Sequence, residues 1–590
     1  MKLIPSIVLG LAALVAAQES TPANEQEIDN SRYNYTEQLT LQPLPRHRLL
    51  ASFDFESYSD PIAQGSIPAS NDYGVFPRSI GQILDQTATQ ELHLRFSQGW
   101  WDAEGWGTPP RNGSFAGGIG VELWAWVEAD SVAEAQAHWS KLVNSLSGLF
   151  CASLNFIDSA QTTFPRKSFQ LAGENPAGKK LHLLRGALPR EPVCTENLTP
   201  FIKLLPCKGK AGISSLLDGH KIFDAQWQGM AIDVVRVCDS AAQTCQWKLA
   251  QVIDAVIDIP RSLRRRDSPV PKPVPYDQLR CDPSKPYDSV NDCFPLSEDP
   301  QQHYKLSDIF GRKISGKCPV ARNSHELVAR VSKPAWEAKI FTGDTPDIAY
   351  TTISNKFTLK TANWYDIELD TVNAEDVLAA QRAPVYVERS FTGYGQDKGG
   401  VRAVFRNPAS TPVRFFYFEA LPWFMRVYLH TLKVETIEGP SAGDNVVRDI
   451  SFVPAIDRKR PNQLELEVEV PGNATVALSY DFDKALLYIE EYPPDANHGF
   501  EIPPAAVAVV DGTGMVASLR TTSLLLSLPT PDFSMPYNVI ILTCTVMALA
   551  FGSLYNLLIK RVVSEEEADA LARSHPLRLK LQKLFKRKTT

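Results

Sequence analysis

The stretch Leu464-Glu465-Leu466-Glu467-Val468-Glu469-Val470 sets the fold class of this chain, because aliphatic and acidic residues alternate through all of it. Strict alternation places the aliphatic side chains on one face of a β-strand and the acidic ones on the other, which predicts a half-buried strand with a wet face. Neighbouring segments also have strand composition and are separated by turn residues; they are 413–419, 424–434 and 476–482. We therefore expect residues 301–532 to form a β-rich domain with antiparallel, sandwich-like sheets.

The N-terminal part of the chain mixes helix and strand patterns. Residues 131–150 combine a capping box with apolar residues at helical spacing. Residues 92–96 and 121–127 alternate as strands do. These patterns predict a mixed α/β domain over residues 18–259, followed by a Pro-rich linker or loop over 260–300. The whole chain is expected to be of the α+β class and rich in strands.

The two ends of the chain predict its topology. Residues 1–17 have the order of a secretory signal peptide, with one early lysine, an apolar run and small residues before the cleavage site. Residues 537–559 contain no charged side chain and would span about 34 Å as a helix, enough to cross the hydrocarbon core. The tail, residues 560–590, holds nine Lys and Arg against four acidic residues, which favours a cytosolic location. We therefore expect a single-pass type I protein with a large lumenal domain.

Two short patterns refine this topology. Lys586 and Lys588 fit the dilysine signal that retrieves type I proteins to the endoplasmic reticulum (ER), with a basic tail resting on anionic lipid as the alternative. Within the span, small and polar residues recur every four positions and share one helix face; they are Cys544, Ala548, Gly552 and Asn556. We expect this stripe to pack against partner helices, because small residues allow close approach in lipid.

Charge and sequons restrict the partners and the compartment. The formal net charge is −7, and no basic, aromatic-laced stretch precedes the span, which argues against nucleic acid. Four N-glycosylation sequons precede the span; they begin at Asn34, Asn112, Asn197 and Asn473.

Eight of the nine cysteines precede the span, and an oxidising lumen favours disulfides among them. Their connectivity does not follow from the sequence, although Cys238–Cys245 and Cys281–Cys293 are spaced as local loops. The spacing of the cysteines does not fit a zinc site.

Catalytic motifs are missing from the sequence, which has no GxSxG elbow, HExxH helix, P-loop or dinucleotide fingerprint. His498-Gly499 follows two prolines and is better explained by a turn than by a catalytic histidine. The tryptophans between Trp100 and Trp126 favour a buried core, with a glycan or peptide platform as the alternative. We expect no catalytic residue, no bound metal and no cofactor in this chain.

Several long strings of residues resemble one family. They are 149–158 (Leu-Phe-Cys-Ala-Ser-Leu-Asn-Phe-Ile-Asp), 193–200 with 203–207, 393–395, 494–500 and 528–539. Together they resemble the PIG-T family, a subunit of the GPI-anchor transamidase complex, and the resemblance extends from about residue 75 to about residue 560. Residues 260–300 depart from the family pattern.

This resemblance implies a subunit without catalytic residues of its own. Such a subunit is expected to stabilise the caspase-like catalytic subunit of an ER membrane complex and to help shape the site where GPI is attached to protein C-termini. Other membrane subunits, the GPI lipid and the proprotein substrate are further candidate partners. A lumenal glycan-processing enzyme and an ER cargo receptor or chaperone are the alternative functions.

The resemblance also implies a role for one cysteine. The cysteine of the Val-Cys-Thr-Glu-Asn string is Cys194, and the resemblance implies that it forms a disulfide with the catalytic subunit. One further lumenal cysteine is then expected to be unpaired. Cys151 is the candidate, because its apolar neighbours predict burial as a small hydrophobic side chain. A local Cys194–Cys207 bridge is the alternative.

Overall fold

The computed structural model of the chain describes most of the region between Asn34 and Ser574. The described residues are 34–63, 72–175, 178–239, 241–263, 279–281, 293–295, 303–321, 326–332, 334–342, 356–358, 364–393, 395–440, 446–493, 496–530, 534–559 and 562–574. The predicted signal peptide (1–17) and the predicted retrieval residues Lys586 and Lys588 lie outside them.

The N-terminal half is built around one large sheet. Its strands are β1 (Tyr35–Leu44), β2 (Arg48–Tyr58), β3 (Ile62–Ala63), β4 (Thr89–Gly99), β5 (Gly120–Glu128), β6 (Leu181–Leu188), β7 (Trp227–Asp239), β8 (Thr244–Asp258), β9 (Leu279–Cys281), β10 (Cys293–Pro295), β11 (His303–Lys305), β12 (Ile314–Ser315), β13 (Glu326–Ala329), β14 (Trp336–Phe341), β15 (Lys356–Thr358) and β16 (Trp364–Thr371). The ten-stranded sheet has the order β15-β13-β1-β2-β8-β7-β4-β5-β6, with β3 paired to β8. A smaller sheet joins β11, β12 and β14 to β16, and β9 pairs with β10.

Short helices accompany this sheet. They are α1 (Arg78–Gln86), α2 (Ala103–Trp106), α3 (Val132–Phe150), α4 (Thr195–Leu204), α5 (Gly219–Ile222), α6 (Ile259–Leu263) and α7 (Leu306–Phe310). The helix predicted over residues 131–150 is confirmed as α3, whose first turn is capped by Ser131 Oγ accepting the Glu134 N–H at 3.2 Å. Its apolar face enters the main core, where the Phe150 ring lies 6.1 Å from the ring of Phe96 in β4.

The core places the boundary between the two halves later than the sequence suggested. One apolar cluster extends from Tyr35 to Ala374, and the next begins at Val385. The described residues between His303 and Ala374 therefore pack with the N-terminal half, and the domain start at residue 301 stays a prediction. The cause is a long-range pairing, because β13 pairs with β1 in parallel, with Gln38 opposite Glu326. Composition along the chain does not reveal such a pairing.

The C-terminal half is an antiparallel β-sandwich, as the sequence predicted. Its strands are β17 (Tyr386–Thr392), β18 (Lys398–Arg406), β19 (Val413–Leu421), β20 (Met425–Glu438), β21 (Val447–Val453), β22 (Asn462–Val470), β23 (Thr475–Lys484), β24 (Phe500–Ile502), β25 (Ala506–Asp511), β26 (Gly514–Arg520) and β27 (Leu524–Leu526). One sheet has the order β17-β18-β23-β20, the other β21-β22-β19-β25-β26, and β24 pairs with β27. The sheets meet where Phe405 of β18 lies 5.0 Å from Phe415 and 5.2 Å from Tyr417, both in β19.

Strand β22 is confirmed, but its acidic face is not wet. Glu465 is 2% exposed and Glu467 is 9% exposed. The Glu465 carboxylate accepts backbone N–H groups from Arg166, Lys167 and Ser168 at 2.7–3.0 Å. The face predicted to meet solvent therefore holds a loop of the N-terminal half, which alternation within one strand cannot show.

A buried ion cluster lies in the same contact between the halves. Glu122 of β5 lies 2.9 Å from Arg185 of β6 and 2.9 Å from Arg520 of β26, and none of the three side chains is more than 6% exposed. Burial alone would raise the pKa of Glu122, but the charges of Arg520 and Arg185 lower it to about 2. The carboxylate therefore stays ionised well into the acid range.

The chain beyond the sandwich, from Pro529, groups with residues 488–497 as a second compact unit. It contains α8 (Ser534–Ile559) and α9 (Glu565–Ser574). Residues Tyr537–Ile559 of α8 are long and apolar enough to cross a membrane, as the sequence predicted. The predicted stripe of Cys544, Ala548, Gly552 and Asn556 lies on this helix, and a Cβ added to Gly552 would meet nothing within 4 Å.

The four sequons differ in exposure. Asn112 and Asn473 are exposed, with φ of 55° and 52°, whereas Asn34 is half-buried. Asn197 is 1% exposed, and its side-chain amide donates to the backbone oxygens of Phe150 at 2.9 Å and Cys151 at 3.2 Å. This fold has no room for the expected glycan on Asn197, because the nitrogen that a glycan would modify is enclosed.

The Glu122 cluster predicts a large loss of stability on neutralisation. Glu122→Gln leaves two buried guanidinium groups without their counter-charge, and we expect a loss of about 3–5 kcal/mol in the free energy of unfolding. The measurement is denaturant unfolding of the full chain in detergent, with tryptophan fluorescence as the signal that reports unfolding. Because the carboxylate stabilises the fold above its ordinary pKa of 4.5 and loses this effect as the pH falls toward 2, the difference between wild type and variant should shrink in acid.

A matched control for this experiment is Glu104→Gln. Glu104 also pairs across the halves, with Arg406, but its side chain is 75% exposed. Exposed pairs contribute little, so this variant should unfold like wild type. Equal stability of wild type and Glu122→Gln would contradict the role given to the buried cluster.

The sequons predict uneven glycan occupancy. Thr199→Ala removes the Asn197 sequon without touching the hydrogen bonds of Asn197, and we expect no change in electrophoretic mobility. Asn473→Gln and Asn112→Gln should each increase mobility by one glycan, and a glycosidase should abolish the differences. A faster band for Thr199→Ala alone would show that Asn197 carries a glycan.

Candidate functional site

Cys194 stands immediately before helix α4, and its backbone is held in place by that helix. The Cys194 N–H donates to Asn197 Oδ1 at 2.9 Å, so the cysteine is fixed at the N-cap of α4. Its side chain is half-exposed. Cys194 therefore stands at a defined, half-exposed position in the N-terminal half.

Asn197 connects this cap to the end of helix α3. While its Oδ1 accepts from Cys194, its Nδ2 donates to the carbonyls of Phe150 and Cys151, the last residue of α3 and its C-cap. One buried amide thus satisfies groups at the ends of two helices. Asn197 was predicted as a glycan acceptor, and the structure gives it a positioning role beside Cys194.

The neighbouring cysteines determine which thiols are available. Cys207 pairs with Cys318, with their Cα atoms 5.9 Å apart, so the local Cys194–Cys207 bridge is not formed. The predicted Cys238–Cys245 loop is present and closes the β7–β8 hairpin. In the described part of the chain Cys151, Cys194 and Cys544 form no disulfide. Cys281 lies opposite Cys293 in the β9–β10 register, and the local loop between them stays a prediction.

The expectation that Cys151 is buried is wrong. Cys151 is unbonded, as expected, but exposed. Its neighbours Phe150 and Leu154 are fully buried, whereas Cys151 adopts φ of 50° as the left-handed C-cap of α3. The turn of the backbone at the helix end directs this one residue to the surface, and the apolar residues around it in the sequence do not predict that turn.

His93 is a buried histidine that lies between two carboxylates. His93 lies 2.7 Å from Glu91 and 3.0 Å from Asp233. Burial would lower its pKa, but the charge of Asp233 and hydrogen bonds to both carboxylates raise it to about 9. The imidazole is therefore protonated at neutral pH and has no lone pair to act as a base. Glu91 also accepts the N–H of Gly173 at 2.6 Å, which anchors that loop.

The structure also describes other residues that the sequence analysis singled out. His498 lies in a turn followed by Gly499 at φ of 90°, as expected. Trp106 and Trp124 are buried, which confirms the core interpretation for them, whereas Trp100 is 59% exposed. Among the described residues no group of three or more His, Cys, Asp or Glu side chains is arranged to hold a metal ion.

Comparison with known proteins gives full-length relatives. A family model described as Gpi16 subunit, GPI transamidase component, matches residues 11–586. The chain is 45% identical to the GPI transamidase component GPI16 of Saccharomyces cerevisiae, covering 98% of this chain and 97% of the relative. It is 34% identical to the GPI transamidase component PIG-T homolog of Schizosaccharomyces pombe, covering 94% and 95%. It is 33% identical to the GPI-anchor transamidase component PIGT of Homo sapiens, covering 91% and 92%.

Solved structures add only distant likenesses, such as the yeast delta-COP-I mu-homology domain at 12% identity and a TM-score of 0.14, covering 31% of this chain and 73% of that one. The full-length matches agree with the resemblance that the sequence strings carried. The chain belongs to the Gpi16 family of GPI transamidase components, the family of the PIG-T proteins.

Proposed function

We propose that this chain is a non-catalytic, single-pass type I subunit of the GPI transamidase in the ER membrane, and that Cys194 bonds it covalently to the caspase-like catalytic subunit. The bridge stabilises the catalytic subunit and keeps this chain beside the site where GPI joins a protein C-terminus. The unbonded, half-exposed thiol of Cys194 is the observation that carries the proposal.

Two features favour Cys194 over the other free thiols for this role. Its backbone is fixed by Asn197 at the start of α4, so a partner meets the thiol at a constant position. The competing local partner, Cys207, is bonded to Cys318. Cys151 is exposed too, and it serves as the natural control.

The span supplies a second contact in this proposal. Cys544, Ala548, Gly552 and Asn556 form a small and polar stripe on α8 that packs against helices of the other membrane subunits. Lys586 and Lys588 return any unassembled chain to the ER.

The disulfide predicts a band on a non-reducing gel of the complex purified in mild detergent. Wild type should give a heavy band that contains this chain and the catalytic subunit and that collapses with reductant. Cys194→Ser should lose the band while Cys151→Ser keeps it. We expect Cys194→Ser to weaken transamidation without abolishing it, because other contacts still hold the complex. Persistence of the heavy band in Cys194→Ser, or its loss only in Cys151→Ser, would refute the assignment.

The stripe predicts that a large side chain at Gly552, its smallest residue, weakens binding of the other membrane subunits. Gly552→Leu should reduce co-purification of the other membrane subunits, because a large side chain keeps helices apart. Ser553→Leu is the control, since it adds the same bulk about 100° away around the helix. Both variants should insert normally. Equal recovery of partners with the two variants would count against the stripe.

A further inference from the structure

A short turn belongs to the same compact unit as the span and exposes apolar side chains. That unit consists of residues Tyr488–Asn497 and the chain from Pro529 onward, which includes α8. Its first residues form a single turn of 3-10 helix, Ile489–Glu491, directly after Tyr488. We call residues 488–491 the Tyr488 turn, and residues 529–536, which lead into the span, the stalk.

A hydrogen bond joins the segment that contains this turn to the stalk. The hydroxyl of Tyr492 donates to the backbone oxygen of Pro529 at 2.6 Å. Helix α8 begins at Ser534, and its apolar span begins at Tyr537. An extended chain covers at most about 3.6 Å per residue and a helix about 1.5 Å, so Pro529 lies no more than about 22 Å from the start of the span. The turn is therefore held near the membrane surface that the span enters.

The apolar side chains of the turn lie at its surface. Tyr488 is 62% exposed and Ile489 is 46% exposed. The Tyr488 N–H donates to the Glu491 carboxylate at 2.6 Å, and the Glu491 N–H donates to the Tyr488 backbone oxygen at 3.0 Å. These two hydrogen bonds close the turn and leave two adjacent large side chains in contact with solvent.

The charges around the turn indicate which lipid surface it fits. Residues 485–499 contain the acidic residues Glu490, Glu491 and Asp495 and no lysine or arginine. Anionic phospholipids attract basic segments, so this acidic segment does not suit them. Tyrosine is enriched at membrane–water interfaces, where its ring meets apolar chains and its hydroxyl meets water. The composition therefore favours a zwitterionic lipid surface.

We propose that Tyr488 and Ile489 enter the headgroup region of the lumenal leaflet and contact zwitterionic phospholipid. The inference rests on the proposed type I span of α8 and does not depend on Cys194. Apolar side chains at the interface of a bilayer are stabilised by leaving water. The stalk is then anchored at both of its ends, by the turn through the Tyr492–Pro529 hydrogen bond and by the span.

The experiment places the photo-crosslinking amino acid p-benzoylphenylalanine at the position of Ile489 in the full complex, reconstituted into phosphatidylcholine nanodiscs. Irradiation should attach phosphatidylcholine to this chain, and mass spectrometry of its peptides should detect the added mass. The probe at the position of Tyr488 should give the same adduct, so the test does not depend on one variant, and co-purification of the other subunits shows that each variant assembles. The phosphatidylcholine adduct should persist when part of the lipid is replaced by anionic phospholipid.

Two further probe positions serve as controls. Leu549 of α8 is 67% exposed and lies in the span, so the probe there should give lipid adducts. Met515 is 41% exposed at the start of β26, and the chain reaches the stalk only beyond the other end of that strand, so the probe there should give none.

The controls separate a failure of this inference from a failure of the span. Lipid adducts at Leu549 but none at Ile489 and Tyr488 would overturn the inference alone. Adducts of these two positions with another protein subunit instead of lipid, adducts only with anionic phospholipid, or an equal yield at Met515 would overturn it as well. The absence of lipid adducts at Leu549 would refute the proposed span and the inference with it.

Discussion

Glu122, enclosed by Arg185 and Arg520, is the contact on which the joining of the two β halves depends. A buried carboxylate is tolerated only with its counter-charges in place, so this cluster forms only when β26 of the sandwich meets β5 and β6 of the large sheet. Around it Trp124, Phe169 and Phe418 exclude water, with ring centroids 5.1 Å and 5.8 Å apart along the series. Charge and apolar packing thus specify the same contact, which accounts for the burial of polar groups on both sides of it.

This joined structure also positions Cys194, the residue on which the proposed disulfide depends. The half-exposed thiol of Cys194 lies on the N-terminal half, positioned by Asn197 between the ends of two helices.

Local patterns in the sequence predicted the local elements well. The capping box at Ser131 and the alternation through Leu464–Val470 depend on neighbouring residues alone, and α3 and β22 are both present. In two places a distant segment decides the outcome. Glu465 is buried by a loop about 300 residues away, and β13 pairs with β1 across a similar distance. No window of the sequence contains both partners of either contact.

The candidate site was only partly predictable for the same reason. The string around Cys194 resembled a family and so identified the cysteine, but the pairing of Cys207 with Cys318 spans 111 residues and follows only from the fold. Asn197 matched a sequon, and the sequon did not indicate that its buried side chain connects the ends of two helices.

The most direct test of the central claim is mass spectrometry of peptides cleaved from the purified complex without reductant, after alkylation of free thiols. The account predicts the Cys194 peptide joined to a peptide of the caspase-like subunit. An alkylated Cys194, or one joined to Cys151 or Cys207, would contradict it.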